Sequence, residues 1–311
     1  MKLTTKTVLI TGAHGFLGRY CAREFSRRGF RVIGLGYGKW EGESPENFGI
    51  QRWNEAAVTL DSLQRITEPV NVIVHCAGSG SVGYSLTDPL QDFQKTVDTT
   101  LAVLEFMRLS SSHATLVYPS SAAVYGCRDA APILESDPLQ PVSPYGVHKM
   151  IAEELCFSYA RSFGIQVSVI RFFSIYGNGL RKQLLWEACR RISTARQGEV
   201  AFFGTGTEMR DWLHAEDAAA LVYAAGCAQT SGIVVNGGCG NSAAVRDVLT
   251  MIADGLGGRV TISFNGQMRE GDPKHFYADT SRAQGLDWQP RVILSEGVSS
   301  YIAWFKKETD Q

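Results

Sequence analysis

Residues 7–11 form a short β-branched run that breaks directly into Gly12-Ala13-His14-Gly15-Phe16-Leu17-Gly18. Apolar residues then recur at Phe16, Leu17, Tyr20, Cys21 and Phe25, with helical spacing. No other stretch limits the fold so tightly. A strand that ends in a glycine-rich turn and feeds a helix leaves unpaired backbone N–H groups at the helix start, and an anionic diphosphate suits that position. A merely structural turn does not need three glycines at this spacing, so strand, glycines and helix in this order point to a dinucleotide-binding unit.

The alternation continues. Residues 30–36 read as a second strand, 37–57 as a loop, 70–74 as the next strand and 89–108 as one long helix. A strand at 114–118 follows, then a helix opening at Tyr145 and running to Phe163, then a sixth strand at 166–171. This order predicts an α/β chain with a doubly wound parallel (Rossmann) sheet over residues 1–180. Residues 181–311 form a smaller α/β lobe, with contributions interleaved in the C-terminal half. Its expected elements are a helix at 215–227, a strand at 232–238, a helix at 245–256, a strand at 259–264 and an amphipathic helix at 294–305. The cleft between the two parts is the expected binding site.

Composition excludes several classes. The net charge of -1 provides no basic surface for nucleic acid or an anionic membrane. Seven cysteines lie without a Cys-x-x-Cys pair and six histidines without ligand spacing, so no metal site or disulfide framework is expected, and the thiols read as reduced in a cytoplasmic protein. No apolar run matches a signal-peptide core or a membrane span.

Tyr145 and Lys149 are four apart at a helix start, so phenol and ammonium share one face. A nearby ammonium favours the phenolate, as a general acid/base for alcohol and ketone interconversion requires. Alone, Tyr-x-x-x-Lys is commonplace; beside a dinucleotide turn it carries chemistry. At the end of the second strand, where dinucleotide folds carry a carboxylate for the adenosine ribose, stands Gly36, with Lys39 after it and His14 in the glycine turn. A missing carboxylate and two basic side chains favour NADP(H), with NAD(H) as the alternative.

Six motifs together resemble the extended short-chain dehydrogenase/reductases of the nucleotide-sugar epimerase/dehydratase family. They are Gly12-x-x-Gly15-x-x-Gly18, His75-x-Ala77-Gly78, Ser120-Ser121-x-x-Val124-Tyr125-Gly126, Tyr145-x-x-x-Lys149, Arg171-Phe172-Phe173-Ser174-Ile175-Tyr176-Gly177 and Arg210-Asp211-Trp212-Leu213-His214-x-x-Asp217. The resemblance implies a catalytic set of Ser121, Tyr145 and Lys149. In it Tyr145 exchanges a proton with a hexose C4 oxygen, Ser121 hydrogen-bonds that oxygen and Lys149 holds the nicotinamide ribose. Gly12, His14, Gly15, Phe16, Leu17, Gly18, Lys39, Ala77 and Ser120, with Tyr145 and Lys149, are expected around the cofactor. Ser174, Arg181, Arg210, Arg269 and Asp272 are expected around a nucleotide sugar, with Ser174 where many relatives have an asparagine on the diphosphate. Asp217 is expected to be structural.

Ala122-Ala123 occupies the place of the Asp-Glu pair of 4,6-dehydratases, and Ala123 that of the cysteine of GDP-fucose synthases, so neither activity is expected. Two remain: a 4-ketoreductase consuming NADPH, preferred on the ribose-carboxylate argument, and a 4-epimerase with retained NAD. A non-catalytic dinucleotide-sensing protein would not need Ser121, Tyr145 and Lys149 intact. A homodimer through the helices near 89–108 and 145–163 completes the expectation.

Overall fold

In the computed structural model, which describes residues 5–128, 132–195, 197–228, 232–267 and 275–309, strand β1 (Thr7–Thr11) is buried from end to end. Its chain continues through α1 (Phe16–Arg27), β2 (Arg31–Gly36), β3 (Arg52–Glu55), α2 (Leu60–Gln64) and β4 (Val72–His75). Next come α3 (Val82–Thr87), α4 (Pro89–Phe93), α5 (Thr99–Ser110), β5 (Thr115–Ser121), α6 (Pro144–Phe163) and β6 (Gln166–Phe172). The later elements are β7 (Ser174–Tyr176), α7 (Gln183–Ala195), β8 (Gly198–Phe202), β9 (Met209–His214), α8 (Ala215–Cys227), β10 (Ile233–Gly237) and β11 (Ser242–Ala244). The last are α9 (Val245–Gly255), β12 (Val260–Phe264), β13 (His275–Phe276), α10 (Ser281–Gln284) and α11 (Leu294–Thr309).

Seven parallel strands form one sheet in the order β10-β6-β5-β4-β1-β2-β3. The strand period of two divides the core between its faces. Val8 and Ile10 pack with α1 and α8, whereas Leu9 packs with Val103 and Met107 of α5 and Ala152 and Cys156 of α6. A third apolar cluster fills the lobe between α7, α9 and α11. There β9 pairs with β7, β11 and β13, and β8 pairs with β12. No described helix is long and apolar enough to cross a membrane.

Three elements depart from the sequence expectation. β3 lies inside the expected loop 37–57, as the edge strand beside β2; Arg52-Trp53-Asn54-Glu55 carries no apolar run because an edge strand is only half covered. The expected single helix 89–108 is broken by a π-helical turn, Gln94–Asp98, between α4 and α5. Beside it the Thr99 and Thr100 hydroxyls bond back to the Lys95 and Thr96 carbonyls at 2.6 Å each, drawing on acceptors that a regular helix uses for its own ladder. Finally, the chain beyond residue 180 returns to the large sheet. α8 packs on α1, and β10 pairs with β6 from Ile233↔Ser168 to Gly237↔Phe172.

The helix that carries Tyr145 has firm ends. Ser143 caps α6 by accepting the Gly146 N–H at 3.2 Å, Pro144 supplies a preset first turn, and Gly164 stops the helix in the left-handed conformation at φ 69°.

Candidate active site

The strands β1, β4 and β5 end side by side where the strand order reverses, the crevice in which open α/β sheets bind ligands. Gly12 turns there with φ 67°, donating to the Leu35 carbonyl at 2.7 Å and accepting from Gly15 at 2.8 Å. A Cβ on Gly12 would stand 2.6 Å from the Ala77 nitrogen, and one on Gly18 would overlap the Gly12 carbonyl. α1 starts from Gly15 with no side-chain cap and no acid in its first turn, so its leading N–H groups are left for an outside anion. The cradle fits a dinucleotide diphosphate.

Ala77 is held against this turn by a bond chain that sequence spacing did not reveal. The Ala77 N–H donates to Thr11 Oγ1 at 3.3 Å, Thr11 Oγ1 meets His75 Nδ1 at 2.7 Å, and His75 Nε2 meets Thr99 Oγ1 at 3.4 Å. Thr99 gives its own proton to Lys95, which assigns the imidazole proton to Nε2. Burial, with Lys149 nearby, pushes the His75 pKa down to about 3, so the ring is a neutral strut.

At the adenosine end Gly36 rests on the glycine turn, where its Cβ would stand 3.4 Å from Gly12 Cα. His14 does not act as the expected cation. Its Nε2 lies 3.0 Å from the Lys39 carbonyl and 2.9 Å from Arg19 Nη2, its ring packs on Trp40 with centroids 4.7 Å apart, and a Cβ on Gly38 would overlap it. Burial and the Arg19 charge lower its pKa, keeping it neutral. Arg19 in turn bonds Glu43 at 2.6 Å. The group pins residues 38–43 to the glycine turn, and it is the carbonyl of the exposed Lys39 that takes part.

β5 delivers Ser121, whose Oγ accepts the Ala123 N–H at 3.2 Å and starts the 3-10 turn Ala122–Tyr125. α6 descends onto this turn so closely that a Cβ on Gly146 would lie 2.6 Å from the Ala123 carbonyl. That approach sets the half-buried Tyr145 phenol beside the Ser121 hydroxyl, whose influence favours the phenolate. One helical turn on, the buried Lys149 donates to the Pro119 carbonyl at 3.0 Å and sits 4.9 Å from the Tyr118 ring centroid. The structure thus brings Ser121, Tyr145 and Lys149 together.

Their electrostatics differ from expectation. Burial raises the Tyr145 pKa, the neighbouring Ser121 hydroxyl opposes the rise and Asp92 adds to it. Lys149 does not pull the phenol down here, because its ammonium faces Pro119, 6.0 Å from the Tyr145 ring centroid. Burial brings the Lys149 pKa down to about 8. Ala122 and Ala123 offer no second acid or base beside them.

Ser120 was expected against the cofactor. Its Oγ instead donates at 2.5 Å to the buried Glu153, which also accepts from Arg171 Nε at 3.1 Å and Nη2 at 2.7 Å. Arg171 further donates to the Tyr125 hydroxyl and the Glu135 carbonyl at 3.1 Å each, and Tyr125 donates to Asn236 Oδ1 at 2.7 Å. This polar core sits directly behind the Ser121 turn. A signal for it existed, since Tyr145, Lys149 and Glu153 share the i, i+4 spacing. The fully buried Asp92 of α4, paired with His148 Nδ1 at 2.6 Å, likewise escaped notice.

On the lobe side, Ser174 of β7 stands in register with Trp212, and Arg210 of β9 with Ala243 and Phe276; both are half-buried. Arg181 departs from its expected place: it is exposed and ion-paired to Glu308 of α11. The next residue, Lys182, reaches across to Gly80 instead. Arg269 and Asp272 lie outside the described residues. Asp217 is structural, accepting the Arg291 and Val292 N–H groups at 3.0 and 2.9 Å.

Comparison with known proteins accords with this geometry. The chain is 28% identical over 315 residues to a UDP-glucose 4-epimerase of Mycolicibacterium smegmatis, covering 97% of this chain and 99% of that one. MoeE5 in complex with UDP-glucose and NAD superposes with a TM-score of 0.85 at 27% identity, over 97% and 99% of the two chains. The UDP-glucose 4-epimerase of Thermotoga maritima with UDP-glucose gives a TM-score of 0.88 at 23% identity, over 97% and 99%, which shows the shared fold. The model of the NAD dependent epimerase/dehydratase family matches residues 8–237, and the chain is a member of that family.

Proposed function

We propose that this enzyme is a UDP-sugar 4-epimerase that works on a retained NAD. The observation that carries the reading is the gathering of Ser121, Tyr145 and Lys149 at a turn whose next two residues are alanines: one alcohol proton can be moved reversibly, and Ala122 and Ala123 supply no second acid or base for eliminating water. This reverses the preference for a 4-ketoreductase and NADP(H). His14 is neutral and engaged with Lys39 and Arg19, so the basic pair that favoured a 2'-phosphate is not arrayed for one. The names of the relatives, 4-epimerases over nearly the whole chain, and the NAD of MoeE5 support the same side.

Bound NAD supplies reversible hydride acceptance at the sugar carbon. Gly12, Gly15, Gly18 and Ala77 would hold its diphosphate, and Lys149 its nicotinamide ribose. Tyr145 takes the C4 hydroxyl proton and returns it after the sugar presents its other face. Ser121 donates its one hydroxyl proton to the C4 oxygen, where negative charge develops. Ser174 and Arg210 line the nucleotide side, with Arg269 and Asp272 assigned there from the motif alone.

Denaturing the purified protein should release about one NAD per chain, and the untreated protein should interconvert UDP-glucose and UDP-galactose without added dinucleotide. A protein that loads NADPH preferentially and consumes it one-for-one with a 4-keto sugar would be a reductase. The reading includes a homodimer, because Leu90, Leu101, Leu109 and Phe163 expose apolar surface on α4, α5 and α6. Sedimentation should give twice the 34.0 kDa chain mass. The seven free cysteines support a cytoplasmic location.

A further inference from the structure

α7 opens with an unusual backbone. Gln183 takes φ 66°, a left-handed conformation that residues other than glycine rarely adopt. The preceding residue, Lys182, leaves the lobe and spans the cleft to the loop after β4, where its Nζ lies 3.3 Å from the position a Cβ on Gly80 would take. Gly78, Ser79, Gly80 and Ser81 are all small residues on that wall.

Three facts separate Lys182 from an ordinary surface lysine. Among the described residues its ammonium has no hydrogen-bond or ion-pair partner, while the adjacent Arg181 is paired with Glu308 and Lys149 with the Pro119 carbonyl. Although the residue is exposed by area, loss of water at the ammonium lowers its pKa, with no carboxylate opposing the shift. And with Arg181 turned to α11, it is the cation at the start of α7 that faces the other wall of the cleft.

We propose that Lys182 binds the anionic part of the nucleotide-sugar substrate, bridging from α7 to the 78–81 loop. The proposal rests on the nucleotide-sugar reading above. The anion is either the diphosphate or a carboxylate at C6 of a uronic sugar; both are oxyanions that an ammonium with three rotatable donors meets through a charge-assisted bond.

Calorimetric titration of the NAD-containing protein with UDP, UDP-glucose and UDP-glucuronate tests it. Lys182→Gln should weaken binding by about tenfold or more, the usual scale for a hydrogen bond to a charged group, while Lys182→Arg keeps affinity within about threefold because the charge remains. Loss for all three ligands places the contact on the diphosphate, and loss for UDP-glucuronate alone places it at C6. Equal binding by Lys182→Gln and the unaltered protein overturns the proposal. Should Lys182→Gln fail to fold, Gly80→Asp gives the ammonium an internal counter-ion and should weaken the same titrations; unchanged affinity there also overturns it. An unaltered protein that binds none of the three would remove the nucleotide-sugar reading itself, a result distinct from equal binding.

Discussion

Tyr145→Phe should lower kcat for C4 interconversion by about 10²- to 10⁴-fold, the contribution of a positioned general acid/base, while affinity for UDP and the amount of NAD carried through purification stay within about twofold. The substitution removes one oxygen and keeps the ring. Ser121 retains its bond from the Ala123 N–H, and Lys149 retains Pro119, so the turn and the helix keep their anchors. What disappears is the phenol that stands with Ser121 and Lys149 at this turn. A variant with near-normal kcat would transfer the proton role to another group and end the present assignment. A variant that lost NAD together with activity would show instead that the phenol is needed to hold the site together. Steady-state kinetics and an absorbance scan of the denatured supernatant separate the cases.

Glu153→Ala should destabilise the fold by about 3–5 kcal/mol, because removing one partner of a buried pair leaves an uncompensated charge. For a chain of this size that corresponds to a fall in Tm on the order of 10 °C. Glu153 is 1% exposed and Arg171 6%, so solvent cannot replace the lost carboxylate. Ser120 loses its acceptor in the same step. The comparison that isolates charge from packing is Glu153→Met with Arg171→Met. Removing both ions should recover much of the stability, short of the full amount because the Tyr125 hydroxyl and the Glu135 carbonyl lose their donor. Thermal melts of the three proteins decide it, and a double variant no better than Glu153→Ala would place the energy in packing.

The parts of this molecule that were legible in the sequence are those whose chemistry is local. β1, the glycine turn, Ser121 and the Tyr145–Lys149 spacing each declare themselves within a few residues, because a tight turn or one helix face imposes residue types at fixed offsets. What spacing alone does not give is direction. Arg181 and Lys182 are neighbours with the same charge, and only the folded chain pairs the first with Glu308 and brings the second beside Gly80. Ser120 and Ser121 end one strand, where alternation sends one hydroxyl to Glu153 and the other to the turn that Ala123 begins. His14 reads as a basic residue, but burial and the Arg19 charge lower its pKa. β3 was hidden by being an edge, and the seventh strand's place in the large sheet by coming from far along the chain.

That late strand bears on how such an enzyme can vary. Because β10 zips onto β6 and α8 covers α1, a fragment ending near residue 180 would bare a strip of unsatisfied amides along β6 and an uncovered greasy patch. The dinucleotide half is therefore not a detachable cassette that evolution or an engineer can splice onto a foreign sugar-binding piece. New specificity has to come from substitutions within the existing weave, at loops such as 78–81 and at the start of α7.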